Sequence, residues 1–109
     1  MSPQTRRQQI EEMLTLEPKD TFLRYGLAME LNREGNWREA VTCLSELIAD
    51  QPDYVPAYFQ AAQMLARAGD STAAAELLRC GIAAARAQSN FHAVEEMSAF
   101  LREIGTTSP

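Results

Sequence analysis

Positive charge is scarce in this 109-residue sequence. Ten basic residues stand against fifteen acidic ones for a net charge of −5, only one of the ten is a lysine (Lys19), and Lys and Arg form no run longer than Arg6-Arg7. Nucleic-acid binding uses clustered positive charge to displace phosphate counterions, and anionic membrane surfaces recruit proteins in the same way. The balance here points away from nucleic acid and membrane as partners. Long apolar runs are missing too. Arg6 and Arg7 are followed by Ile10, Glu11, Glu12, Met13 and Leu14, without the apolar core of a signal peptide, and no window reaches the uninterrupted length that crosses a bilayer. A cytoplasmic location is the expectation.

Chemistry-bearing side chains are equally sparse. The one histidine, His92, has Glu95 and Glu96 at helical spacing, an arrangement that reads as a local ion pair rather than a proton shuttle. Cys43 and Cys80 lie far apart among Leu and Ile, with no Cys or His at a ligand spacing. They read as reduced, mostly buried thiols, not as a disulfide framework or a metal site. The five glycines never cluster, so no phosphate-cradling loop is present, and nothing supplies His92 with the partners of a nucleophilic triad. The expectation is a protein without catalytic residues, cofactor or metal.

What is present is order. A 46% apolar and 23% charged composition is that of a folded globular chain, and its length suits one domain spanning residues 1–109. The stretch from Asn32 to Pro52 reads as the end of one helix, a turn at Gly35-Asn36, a second helix folded back along the first, and a stop. It then recurs: Gly35-Asn36 as Gly69-Asp70, Ala40 as Ala74, and Pro18 as Pro52, each pair 34 positions apart. A fixed period of that length around a helix-turn-helix unit marks a helical repeat array.

The spacing predicts helices over 3–17, 22–33, 37–50, 55–67, 71–87 and 91–104. In the first, Pro3 falls in the first turn, Ile10, Met13, Leu14 and Leu16 form the apolar side, and the whole acts as an orphan half-repeat closing one end of the stack. Asp20 and Thr21 are the candidate N-caps of the second helix. Gly35 supplies a left-handed turn, and Asn36 with Glu39 is placed to form a capping box. The register puts Trp37 and Ala40 in the core. Gly81, costly inside a helix, implies close helix contact. In the last helix Val94, Met97, Phe100, Leu101 and Ile104 face inward while His92, Glu95, Glu96, Arg102 and Glu103 face out, which makes it a capping helix. Gly105 to Pro109 is expected to fray.

These residues resemble the tetratricopeptide repeat family, whose units are 34-residue helical hairpins. Leu27, Ala28, Leu31, Gly35, Asn36, Trp37, Ala40, Leu44, Leu47, Ile48 and Pro52 match its pattern in one unit. Tyr58, Ala61, Ala62, Leu65, Gly69, Asp70, Ala74, Leu78, Gly81 and Ile82 match it in the next. Arg24 stands where an early aromatic is usual, and Ser71 where the turn aromatic is. The chain is also similar to short stand-alone bacterial proteins of this family.

The resemblance implies an all-α superhelix of the tetratricopeptide type, with about two full hairpins flanked by single helices, and a protein or peptide partner on the concave face made by the first helix of each hairpin. Carried over by position, that face holds Phe22, Tyr25, Met29, Asn32 and Arg33 in the first unit and Pro56, Phe59, Gln60, Gln63 and Arg67 in the second. A well-known branch of the family clamps its partner's C-terminal carboxylate with Lys and Asn. The matching positions here hold Tyr25, Met29 and Gln60, which points away from that mode, although Arg33 and Arg67, one period apart, suit an acidic group. The alternative is a homodimer that uses the same face or the terminal helices.

Overall fold

Two glycines set the geometry of the chain. Gly35 and Gly69 adopt φ +90° and +92°, a left-handed region that costs a side-chain-bearing residue roughly 1 kcal/mol or more and glycine little. At each, the helix closes in a Schellman motif. The N–H of Asn36 donates to the carbonyl of Leu31 and that of Gly35 to Asn32; Asp70 and Gly69 do the same to Leu65 and Ala66. The chain then reverses, so that successive helices lie antiparallel.

The computed structural model describes residues 3–106. Within them run six helices: α1 (Arg6–Leu16), α2 (Thr21–Arg33), α3 (Trp37–Asp50), α4 (Val55–Arg67), α5 (Ser71–Ala87) and α6 (Phe91–Thr106). The α2–α3 and α4–α5 hairpins stack through α3 and α4, with α1 against α2 at one end and α6 against α5 and α4 at the other. The all-α architecture of stacked antiparallel hairpins expected from the period is the one observed.

Two cores follow from this stacking. Ala28, Ala40, Leu44, Leu47 and Ala61, all excluded from water, fill the space between the first hairpin and α4. Tyr58, Ala74, Leu78, Ala85 and Met97 form the second, between α4, α5 and α6. Small residues at the contacts let the backbones approach closely. At Gly81 the approach is closest: a Cβ there would lie 2.7 Å from the Tyr58 Cβ and 2.8 Å from the Met97 sulfur. Tyr58 is 5% exposed, and its hydroxyl donates to the carbonyl of Pro52 at 2.6 Å, tying the helix to the turn before it.

Several local expectations change. Helix α1 starts at Arg6, and Thr5, not Pro3, is its cap: the N–H of Gln8 donates to the Thr5 hydroxyl at 3.1 Å while the N–H of Thr5 donates to the Gln8 side chain at 2.9 Å. Of its apolar residues only Ile10 is buried; Met13 is 49% and Leu16 83% exposed. Asn36 accepts no capping hydrogen bond, so the box with Glu39 does not form, whereas Asp70 at the equivalent turn accepts from the N–H of Ala73 at 3.1 Å. The backbones match closely, and a carboxylate is drawn to a helix N-terminus more strongly than a neutral amide. Trp37 is half-buried at the turn edge with the Arg38 guanidinium 4.9 Å from its ring, not in the core beside Ala40. Cys43 is half-buried, its thiol pushed up by burial and then by Glu46 and Glu39, but Cys80 is exposed rather than buried. Helix α6 runs through Gly105 to Thr106; the rest of the expected frayed tail lies outside the described residues.

Candidate functional site

The ten residues placed on the binding face by position do not gather at one point. Tyr25 from α2 and Pro56, Phe59 and Gln60 from α4 line a single cavity of about 240 Å³, which α6 completes with His92, Ala93, Glu96 and Met97. Gln63 and Arg67, one to two turns further along α4, line a second cavity with Phe100 and Ile104. Asn32 and Arg67 line a third, at the turn edge, with Trp37 and Met64. Phe22, Met29 and Arg33 line none of the three. Phe22 is 76% exposed, Met29 packs against the first core, and Arg33 is exposed with Nε 4.0 Å from Glu30.

The two aromatic residues of the first cavity are held from behind. The Tyr25 ring meets Tyr54 edge-on at 5.6 Å between centroids, and the Phe59 ring meets Phe100 in the same way at 5.9 Å. Such contacts fix ring position at little entropic cost on binding. Burial pushes the Tyr25 phenol above its usual range, Tyr54 adds to the shift, and a hydrogen bond with Gln60 partly offsets it. The phenol is therefore a neutral hydrogen-bonding group at ordinary pH. His92 Nε2 lies 3.5 Å from Glu96 Oε1, one helical turn on, the local pair expected from the spacing.

Helix α6 is the part of the site that the 34-residue period does not show. Leu65 and Gly69 recur as Leu101 and Gly105, 36 positions on, because α5 is three residues longer than α3 and the link after it is one residue shorter. In that shifted register α6 is the first helix of a third unit, standing beside α4. His92 and Glu96, expected to face outward, line a cavity together with Ala93, and the inward Phe100 lines another. The turn after the longer helix holds Ser89 at φ +57°, and the N–H groups of Ser89 and Asn90 donate to the carbonyls of Arg86 and Ala85. A serine there carries no glycine signal, which is why the turn reads weakly in sequence.

No family model matches the chain, and neither does any curated protein. Solved structures do match. The crystal structure of a tetratricopeptide repeat domain protein from Salinibacter ruber is 26% identical, with a TM-score of 0.76 over 82% of this chain and 99% of that one. This is a tetratricopeptide-like helical-repeat protein. A solution structure of a tetratricopeptide repeat domain protein from the same organism agrees, with 26% identity and a TM-score of 0.80 over 84% of this chain and 92% of that one. A Bordetella parapertussis protein shares the fold at 24% identity, with a TM-score of 0.83 over 95% of this chain and 90% of that one.

In a tetratricopeptide-like stack, α2, α4 and α6 are the first helices of successive units; the first cavity draws on all three, the second on α4 and α6, and the third lies at the turn edge. Among the described residues no group of three or more His, Cys, Asp or Glu side chains is placed to hold a metal ion. None of the described helices is long and apolar enough to cross a membrane.

Proposed function

We propose that this chain is a non-enzymatic scaffold that binds a peptide or partner protein on the concave face formed by α2, α4 and α6. One observation carries the reading: Tyr25, Pro56, Phe59 and Gln60, assigned to that face by repeat position alone, converge on one cavity with aromatic walls and polar ends. Rigid aromatic anchors with hydrogen-bonding neighbours are what protein-recognition surfaces use for energy and orientation. The likeness to tetratricopeptide repeat domains supports the same class of function. A cytoplasmic, bacterial-type adaptor is the form we infer, with no nucleic acid or membrane partner, in keeping with the net charge of −5.

The test is a quantitative pull-down with three forms of the chain, each shown by circular dichroism to be folded. A partner held by wild type and by a Thr42→Ala control on α3, but lost with Tyr25→Ala/Phe59→Ala, is the expected result. Equal recovery by all three would place binding elsewhere.

Self-association draws on a different observation, the exposure of Met13 and Leu16 on one side of α1 and of Phe22 at the start of α2. Three side chains expose a few hundred Å² at most, against the roughly 800 Å² per partner of a standard stable interface. Sedimentation across the micromolar range is expected to show a monomer.

A further inference from the structure

The cavity between α2, α4 and α6 has a chemistry more specific than a general protein-binding groove. Its volume of about 240 Å³ is below the range of pockets for drug-sized ligands and admits one long side chain. The rings of Tyr25 and Phe59 line it together with Pro56, all three apolar and the two rings braced by Tyr54 and Phe100. Among the lining residues Glu96 is the one acid, and no Lys or Arg joins it. Its side chain is 49% exposed and its contact with His92, at 3.5 Å, is long, so the carboxylate retains capacity for a better donor.

A cavity lined by aromatic and aliphatic residues, with a half-exposed carboxylate among its polar ones, complements a side chain with an aliphatic stem and a cationic end. Ring faces attract cations, and the stem of such a residue buries well on apolar surface while its head stays in water. An acidic side chain would be repelled by Glu96, and a plain aliphatic one would gain nothing from that carboxylate. We propose that this cavity takes a lysine or arginine side chain of the bound partner, its stem along Pro56, Tyr25 and Phe59 and its charged end on Glu96. The inference rests on the concave-face reading and adds the partner's chemistry to it. It runs opposite in sign to a carboxylate clamp.

The test is an amide-resolved NMR titration of the full chain, in low-salt buffer, with blocked five-residue peptides of alanine carrying lysine, arginine, norleucine or glutamate at the centre. The lysine and arginine peptides should shift the amides of Gln60, Ala93 and Glu96 saturably. The norleucine peptide should bind about fivefold or more weakly and the glutamate peptide not at all. Glu96→Gln should weaken the lysine and arginine peptides about two- to fivefold, the scale of a half-exposed pair, and remove most of their salt dependence, while Glu12→Gln on α1 leaves both unchanged. Equal binding of norleucine and lysine, an unchanged affinity in Glu96→Gln, or no saturable shift at this cavity would overturn the proposal. The two readings fail separately. A partner lost from Tyr25→Ala/Phe59→Ala but fully retained by Glu96→Gln leaves the concave-face reading standing and removes this one.

Discussion

The two end helices of the stack are held by different forces. Helix α6 buries Met97 completely and Ile104 almost so, and rests Phe100 against Phe59, so it is part of the second core. Helix α1 buries one residue, Ile10, against the open flank of Gly26, where a Cβ would still stand 3.5 Å from it. Its other ties are polar. Arg7 Nε reaches both carboxylate oxygens of Glu34 at 2.9 Å, and Arg6 Nε lies 3.1 Å from the nearly buried Glu30. One end of a repeat stack can therefore be closed by apolar packing, with its stability shared by the whole unit, and the other by charge pairs that hold only locally. The difference also bears on function, since α6 supplies walls to the candidate site and α1 supplies none to the cavities of that face.

The largest effects should come from the packed end. Met97→Ala removes a fully buried side chain from the second core and is expected to cost about 2–4 kcal/mol in denaturant unfolding. Ile10→Ala should cost less, about 1–2 kcal/mol, although the buried volume lost is similar. Once α1 has released, no further stability can be lost through it, so the global loss is capped by the free energy of docking that one helix. Equal losses at the two positions would break the comparison and make α1 a full member of the cooperative unit.

The turns give a smaller, two-signed test. Gly35→Val forces a β-branched residue to φ +90° and should destabilise by about 1–3 kcal/mol. Ser89→Gly, at φ +57° before α6, should stabilise by up to about 1 kcal/mol, net of the added freedom of the unfolded chain. Thermal melts of the two variants moving in the same direction would contradict the left-handed assignment of one of the turns.

These same positions explain what was legible in the sequence. Glycine at a left-handed turn leaves a mark that recurs, so Gly35, Gly69 and the 34-residue period locate α2 to α5 and the inward alanines with little ambiguity. Ser89 leaves no such mark. The longer α5 and the shorter link after it then shift the register by two, and α6, read as the helix that caps the stack, also lines cavities beside α4. Periodicity of apolar residues also overstated α1, because Met13 and Leu16 keep helical spacing while the hairpin partner that would cover them is absent from the described stack. At the candidate site, repeat position selected Tyr25, Pro56, Phe59 and Gln60, which line one cavity. It had no means of finding Glu96, whose place in the cavity depends on the packing of α6 across α4, and it treated the outer positions Phe22 and Arg33 as equivalent to residues that line a cavity.

The smallest effect is the most direct probe of how α1 is attached. Salt at about 1 M shortens the screening length to roughly 3 Å and weakens exposed charge pairs, while apolar burial is, if anything, strengthened. Amide hydrogen exchange in α1 should therefore quicken with added sodium chloride, and exchange in α6 should not. Arg7→Gln, which removes the fork to Glu34 and the pair with Glu11, should quicken α1 exchange at low salt and abolish most of its further response to salt. The global unfolding midpoint should move less in either case than it does in Ile10→Ala, because exposed charge pairs contribute only a little to the docking of α1. If salt instead lowers the global midpoint in step with α1 exchange, the charge pairs hold the whole stack, and the contrast between a packed end and a tied end fails.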